Sequence, residues 1–174
     1  MPRSDPGDLS AKTQTESHPL ISILYVDDEQ ALLTLAKIYL ERTDHFHVDI
    51  RESAEEALKS TSITSYDAII SDYQMPGMDG IEFLKVVREQ YGDIPFILFT
   101  GRGREEVVIE AINNGADFYL QKGGAPKPQF AELAHKVKQS VRRRRAEAER
   151  IDQLNELILT KEALQESEFR YRAI

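Results

Sequence analysis

The sequence contains no cysteine, which excludes disulfides and thiolate metal sites and fits a reducing compartment. It has no run near the roughly 20 consecutive apolar residues that a membrane-spanning helix needs. Its polar first twenty residues lack the apolar stretch of a signal peptide. Basic residues are not in excess either: the net charge is -8, which argues against a general nucleic-acid surface. The expectation is a cytoplasmic protein with neither nucleic acid nor membrane as a partner. The chain has 174 residues, of which 41% are apolar and 30% charged. That is enough for one domain with a sizeable core, plus an extension.

Residues 1–19 mix Pro, Ser, Thr, Gly and charge with few large apolar side chains, and read as a disordered leader. A domain follows over 20–142, in which the periodicity alternates. ISILYV (21–26) is a β-rich run, and Ala31, Leu32, Leu35, Ile38 and Tyr39 after it have helical spacing. FHVDI (46–50) precedes SAEEALKS (53–60), where Ser53 and Glu56 have capping-box spacing. YDAII (66–70) precedes a helix with Ile81, Leu84, Val87 and Arg88 along one side. FILFT (96–100) leads to REEVVIEAINNG, with Gly115 suited to a helix C-cap. DFYLQK (117–122) leads to GGAPKP, where Pro128 is suited to open the last helix. Five strands alternating with five helices predict an α/β protein with a doubly wound parallel sheet.

Between Gln129 and Ile174 there is neither Gly nor Pro, so the last helix is expected to run on beyond the domain. Phe130, Ala134, Val137, Val141, Arg144, Ala148, Ile151, Asn155 and Ile158 follow heptad spacing. The first half is expected to pack on the sheet. The second half, a helical or coiled-coil linker over 143–168, is expected to pair with another copy as a homodimer. Asn155 would sit at an a position, where a polar pair fixes register. A charged single helix is the alternative, since Arg144 interrupts the stripe and the pattern after Ile158 drifts towards Leu157 and Leu164. RRRR (142–145) reads as a solvated ring of charge rather than a nucleic-acid contact.

The candidate chemistry lies at the carboxyl ends of the predicted strands, where ligands bind in a doubly wound sheet. Asp27, Asp28 and Glu29 end the first strand, Asp72 the third, Thr100 the fourth and Lys122 the fifth. Any one of these is ordinary, as a helix cap, a strand residue or a solvated lysine; the conjunction is not. Converging carboxylates raise one another's pKa unless a cation holds them. Oxygen ligands without His or Cys select Mg²⁺ or a similar ion, which recruits phosphate. An Asp can then act as a nucleophile towards phosphorus, with Lys122 as a point charge and Thr100 as a hydroxyl donor to the phosphoryl group.

With DD at 27 and 28, SDYQMPGMDG from 71, FTG at 99–101 and FYLQK at 118–122 in that order, the stretch from Ile21 to Arg142 resembles the receiver domain of two-component response regulators. The resemblance covers roughly two thirds of the chain. It implies a flavodoxin-like (βα)5 fold with strand order 2-1-3-4-5, carrying here a long C-terminal helix. It implies Asp72 as phosphoacceptor, with Asp27, Asp28, Asp72 and the backbone carbonyl of Gln74 around Mg²⁺. Thr100 and Lys122 would contact the phosphoryl group, and Tyr119 would turn inward when Thr100 moves. Pro76 and Gly77 suit the turn after the acceptor, and Asp79 reads as a helix cap rather than a ligand. Met75 and Met78 read as packing residues.

Two positions depart from the family pattern. Receivers usually follow this lysine with a proline in a cis peptide, whereas Gly123 stands here. A non-proline cis bond costs about 2.5–4 kcal/mol, so a trans bond or a differently shaped loop is expected. Gln74 and Arg102 flank the site where the family varies, so phosphoryl lifetime does not carry over. The segment EALQESEFRYRAI (162–174) resembles the linker and opening of a PAS sensor domain, with the domain itself starting at 169–174. The chain is accordingly expected to be a piece of a longer signalling protein.

The resemblance implies a non-enzymatic phosphorelay switch. A histidine kinase or phosphodonor protein would phosphorylate Asp72 and alter a C-terminal helical dimer. The receiver of a hybrid sensor kinase and a non-signalling dimerisation module are the alternatives. An aspartate-nucleophile phosphohydrolase would want a general acid two residues after the nucleophile, where Gln74 stands.

Overall fold

The structure, a computed structural model, describes residues 19–42, 45–60, 62–101 and 105–173. The predicted leader up to residue 18 and Arg102 therefore lie outside the described residues. Five strands alternate with five helices: β1 (Ile21–Val26), α1 (Gln30–Glu41), β2 (Phe46–Arg51), α2 (Ala54–Ser60), β3 (Ala68–Ser71), α3 (Gly80–Tyr91), β4 (Phe96–Thr100), α4 (Glu105–Asn113), β5 (Phe118–Gln121) and α5 (Pro126–Arg172). A 3₁₀ turn, Ile63–Ser65, precedes β3. The strands form one parallel sheet in the order β2-β1-β3-β4-β5, the flavodoxin-like arrangement. The reversal of strand order beside β1 and β3 puts the ends of these two strands next to each other.

Burial on both faces explains why the strands read as continuous apolar runs. Side chains alternate: Leu24, Val26, Ile69 and Leu98 face one layer of core with Ala57, Phe83, Leu84 and Ala111 from α2, α3 and α4. Ile23, Tyr25, Ile70 and Phe99 face the other, with Leu33 and Ala36 of α1 and Phe130, Leu133 and Val137 of α5. On the edge strand β2, the Val48 amide donates to Glu41 Oε1 at 2.9 Å and the Val48 carbonyl accepts from Lys37. These α1 side chains satisfy backbone groups that would otherwise offer a strand to a neighbour.

Helix α5 opens at Pro126, not at Pro128 as the sequence suggested. Proline is suited to the first turn of a helix because its missing N–H is not needed there. Its buried residues are Phe130, Leu133, Val137, Ser140 and Val141, and none beyond Val141. The helix has 47 residues, about 70 Å at 1.5 Å per residue. Its second half carries the exposed apolar side chains Ile151, Leu154, Leu157, Ile158, Leu159 and Leu164.

The arginine tract is exposed, as expected of solvated charge, and two of its members also pair with acids. Arg143 pairs with Asp117 Oδ1, and Arg145 Nη2 donates to Asp67 Oδ1 at 2.9 Å. These aspartates stand at the amino edge of the sheet, where Asp117 Oδ2 accepts from the Phe96 amide and Asp67 Oδ2 from the Ser22 amide, both at 2.9 Å. Each has its other oxygen left for a guanidinium, which local sequence could not reveal. No described helix is long and apolar enough to cross a membrane.

Candidate functional site

The ends of β1 and β3 are held in register by Val26 opposite Ser71, and the next residue on each strand is an aspartate. The Asp27 amide donates to the Arg51 carbonyl at 3.1 Å, and the Asp72 amide to the Val26 carbonyl at 2.9 Å. Ladder bonding thus continues just past the strands and fixes both backbones. Asp27 is fully buried and Asp72 nearly so, whereas Asp28 is exposed. Each of Asp27, Asp28 and Asp72 offers a carboxylate oxygen, and these oxygens lie within 4.8 Å of one another.

One ammonium reaches into the cluster. Lys122, just past β5, donates from Nζ to Asp27 Oδ2 at 2.7 Å and lies 3.4 Å from Asp72 Oδ2. Its amide donates to the Thr100 carbonyl at 2.8 Å, so β4 positions the residue that spans the pocket. The buried Thr100 hydroxyl hydrogen-bonds the Asp72 carboxylate. The Tyr73 amide donates to Asp72 Oδ1 at 2.8 Å. Burial pushes the Asp72 carboxyl above the usual range and Asp27 adds to the push. Lys122, Thr100 and the Tyr73 amide oppose it without cancelling it. The donor set is therefore oxygen-only, crowded and short of positive charge, which suits a hard divalent cation such as Mg²⁺.

The sequence-derived residues fall into two groups. Lys122 contacts Asp27 and Asp72, Thr100 contacts Asp72, and Asp28 lies exposed beside them. Gln74 is exposed in the loop after Asp72, and Tyr119 lies on β5 with its ring against the core beneath α3 and α4. The Tyr119 hydroxyl is buried and has no hydrogen-bond partner among the described residues. Burial, with the charge of Asp72, raises its pKa.

Asp79 is a helix cap. Its Oδ1 accepts from the Ile81 and Glu82 amides, each at 2.8 Å, and Glu82 returns a bond to the Asp79 amide. At the start of α2, Ser53 Oγ accepts from the Glu56 amide and the Glu56 carboxylate accepts from the Glu52 amide. Among the described residues no peptide bond is cis, so the bond after Lys122 is trans, and Gly123 and Gly124 take φ values of +152° and +84°.

Three further residues shape the site without having been picked out for it. Tyr25 donates to Asp27 Oδ2 at 3.1 Å. It reads as an ordinary strand residue, since only the contact two residues along reveals its role. Burial, then Asp27, pushes its phenol well above the ordinary value. Gly80 lets α3 approach the end of β3, because a Cβ there would lie 2.1 Å from the Asp72 carbonyl oxygen. Glu55 on α2 reaches the loop after Asp72, where its Oε1 accepts from the Met78 amide at 2.8 Å.

Comparisons with known proteins agree with this geometry. The family model described as response regulator receiver domain matches residues 23–134. The chain is similar to the transcriptional regulatory protein ResD of Bacillus subtilis, with 36% identity over 121 residues, covering 70% of this chain and 48% of ResD. It is also similar to the transcriptional regulatory protein SrrA of Staphylococcus aureus, at 35% identity with the same coverage. The chain thus spans about half the length of these relatives. Among solved structures, a response regulator receiver domain protein from Clostridium thermocellum has a TM-score of 0.65 and 27% identity. That match covers 73% of this chain and 98% of the solved one.

Proposed function

The chain belongs to the response regulator receiver domain family, and from that premise we propose that it accepts a phosphoryl group on Asp72, with Mg²⁺ held by the acidic pocket. The donor is a histidine kinase or another phosphodonor. The observation that carries this reading is Lys122 bridging Asp27 and Asp72 in a cluster of three carboxylates. Asp27, Asp28, Asp72 and the Gln74 backbone carbonyl would hold the ion. Bound there, it supplies a positive charge that offsets the transferring phosphoryl oxygens.

The remaining steps belong to the protein. An Asp72 carboxylate oxygen forms the new O–P bond while the P–N bond of a phosphohistidine, or the P–O bond of an acyl phosphate, breaks. The bonding pair leaves with the donor. Lys122 neutralises part of the product charge, and the Thr100 hydroxyl turns from the Asp72 carboxylate to a phosphoryl oxygen. A phosphoryl group adds about -1.5 to -2 of charge at this strand end, enough to bias a bistable surface. The Tyr119 hydroxyl is a ready responder: a buried group without a partner costs about 1–3 kcal/mol, so repacking that gives it one is favoured.

The receiver occupies 20–142, and α5 carries the change outward through a linker over 143–168. Residues 169–174 are read as the opening of a PAS domain. Helices without tertiary packing are marginal in water, and the exposed Ile151, Leu154 and Ile158 offer a homodimer seam. In this reading the chain is a cytoplasmic switch and not an enzyme, with neither nucleic acid nor membrane as its partner.

Incubation with a small acyl phosphate and Mg²⁺ tests the reading. One phosphoryl per chain, mapped to Asp72, is expected. Many turnovers would indicate a phosphohydrolase, and no labelling would indicate a dimerisation module without signalling.

A further inference from the structure

We propose that Glu55 is a positioning residue for the metal pocket, pinning from α2 the loop that carries the Gln74 carbonyl. The inference rests on the phosphoacceptor reading above.

Residues 73–79 connect the acceptor strand to α3. The two ends of this loop are fixed from within: the Tyr73 carbonyl accepts from the Gly80 amide at 2.9 Å, and Asp79 caps α3. Between them the backbone turns through Gly77 at φ +80°, leaving the Met78 amide outside both strand and helix bonding. Glu55 Oε1 accepts that amide at 2.8 Å. The same oxygen would lie 2.4 Å from a Cβ on Gly77. The carboxylate thus occupies the space that the absent side chain leaves: the positive φ requires glycine at 77, and a side chain there would displace Glu55. Bonds from its own amide and the Met78 amide hold the Glu55 carboxyl below the usual range.

Acidic residues in a first helical turn are ordinary, since they complement the helix dipole. Glu56 serves that end of α2 through Glu52 and Ser53. Glu55 instead turns across to a loop 23 residues away. With the middle of the loop held, the Gln74 carbonyl has fewer positions to sample before it meets a cation. Partners that orient ligands commonly change metal affinity by 10- to 100-fold, and Glu55, which acts through the loop, belongs at the lower end.

The test is calorimetric titration of the whole chain with Mg²⁺, without phosphodonor, on wild type, Glu55→Ala and Glu55→Gln. Hydrogen exchange at the Met78 amide is followed in parallel. The Ala variant is expected to weaken Mg²⁺ binding about tenfold and to speed Met78 exchange. The Gln variant keeps an acceptor oxygen and is expected to stay within about threefold of wild type. If the wild type binds Mg²⁺ and the Ala variant binds it equally well, the positioning role is wrong. Equal losses in Ala and Gln would also overturn it, since charge and not the hydrogen bond would then matter. A wild type that takes no Mg²⁺ overturns the pocket reading itself, and this inference with it.

Discussion

At the carboxyl end of the sheet, Asp27, Asp28 and Asp72 share the ammonium of Lys122. At the amino end, Asp67 and Asp117 each accept a backbone amide on one oxygen and an arginine on the other. Asp117 also receives Arg88, whose guanidinium donates to the carbonyls of Gly92, Ile94 and Gly115. The two ends use the same residue type in opposite electrostatic conditions. Where the acids are saturated they fasten elements together, here β3, β4 and β5 to α3 and α5. Where they are left short of cations they carry a cost that a bound cation would relieve.

The sharpest way to break this comparison is to remove the proposed acceptor, Asp72. Asp72→Asn is expected to abolish labelling by acyl phosphate, measured by intact mass, whereas Asp67→Asn at the other end is expected to leave labelling near wild type. Next in size is Arg88→Ala, which removes the donor to the carbonyls of Gly92, Ile94 and Gly115 and one of the cations on Asp117. It is expected to cost about 2–4 kcal/mol in urea unfolding without changing which residue is labelled.

A smaller effect of opposite sign belongs to the pocket. Without metal, Asp72→Asn is expected to raise stability by about 1 kcal/mol, the scale seen when a strained site is relieved. The pH dependence has a definite sign. Folding raises the Asp72 pKa, so the folded state binds more protons between the unfolded and folded values. This group's contribution therefore falls as pH rises through that window and recovers as pH falls. A metal-free acid titration of wild type against Asp72→Asn isolates it. Smallest is Arg145→Ala. Its partner Asp67 is largely shielded but Arg145 itself is 42% exposed, so about 0.5 kcal/mol is expected, shrinking in high salt.

How much of this was legible in the sequence follows from the range of each signal. β1 and β4 have the bounds read from their apolar runs, because burial on both faces leaves an uninterrupted local pattern. β3 begins at Ala68 rather than Tyr66, since Tyr66 instead caps the 3₁₀ turn and sends its hydroxyl to Asp49. The strand-end residues were visible as a set because a doubly wound sheet gathers strand ends. Lys122 reaches Asp27 across 95 residues, yet the topology predicted their meeting. Tyr25 and Glu55 were not visible, because a tyrosine in a strand and a glutamate in a first helical turn each have an ordinary local explanation. The arginine tract is exposed as its sequence suggested, but the acids that Arg143 and Arg145 meet were not visible, because they lie 26 and 78 residues away.

The most direct measurement is thermal unfolding with and without Mg²⁺ for wild type, Asp72→Asn and Asp67→Asn. A working pocket is expected to gain about 2.7 kcal/mol at a hundredfold excess over Kd. That gain should persist in Asp67→Asn and shrink sharply in Asp72→Asn. Equal gains in all three, or none in the wild type, would contradict the account.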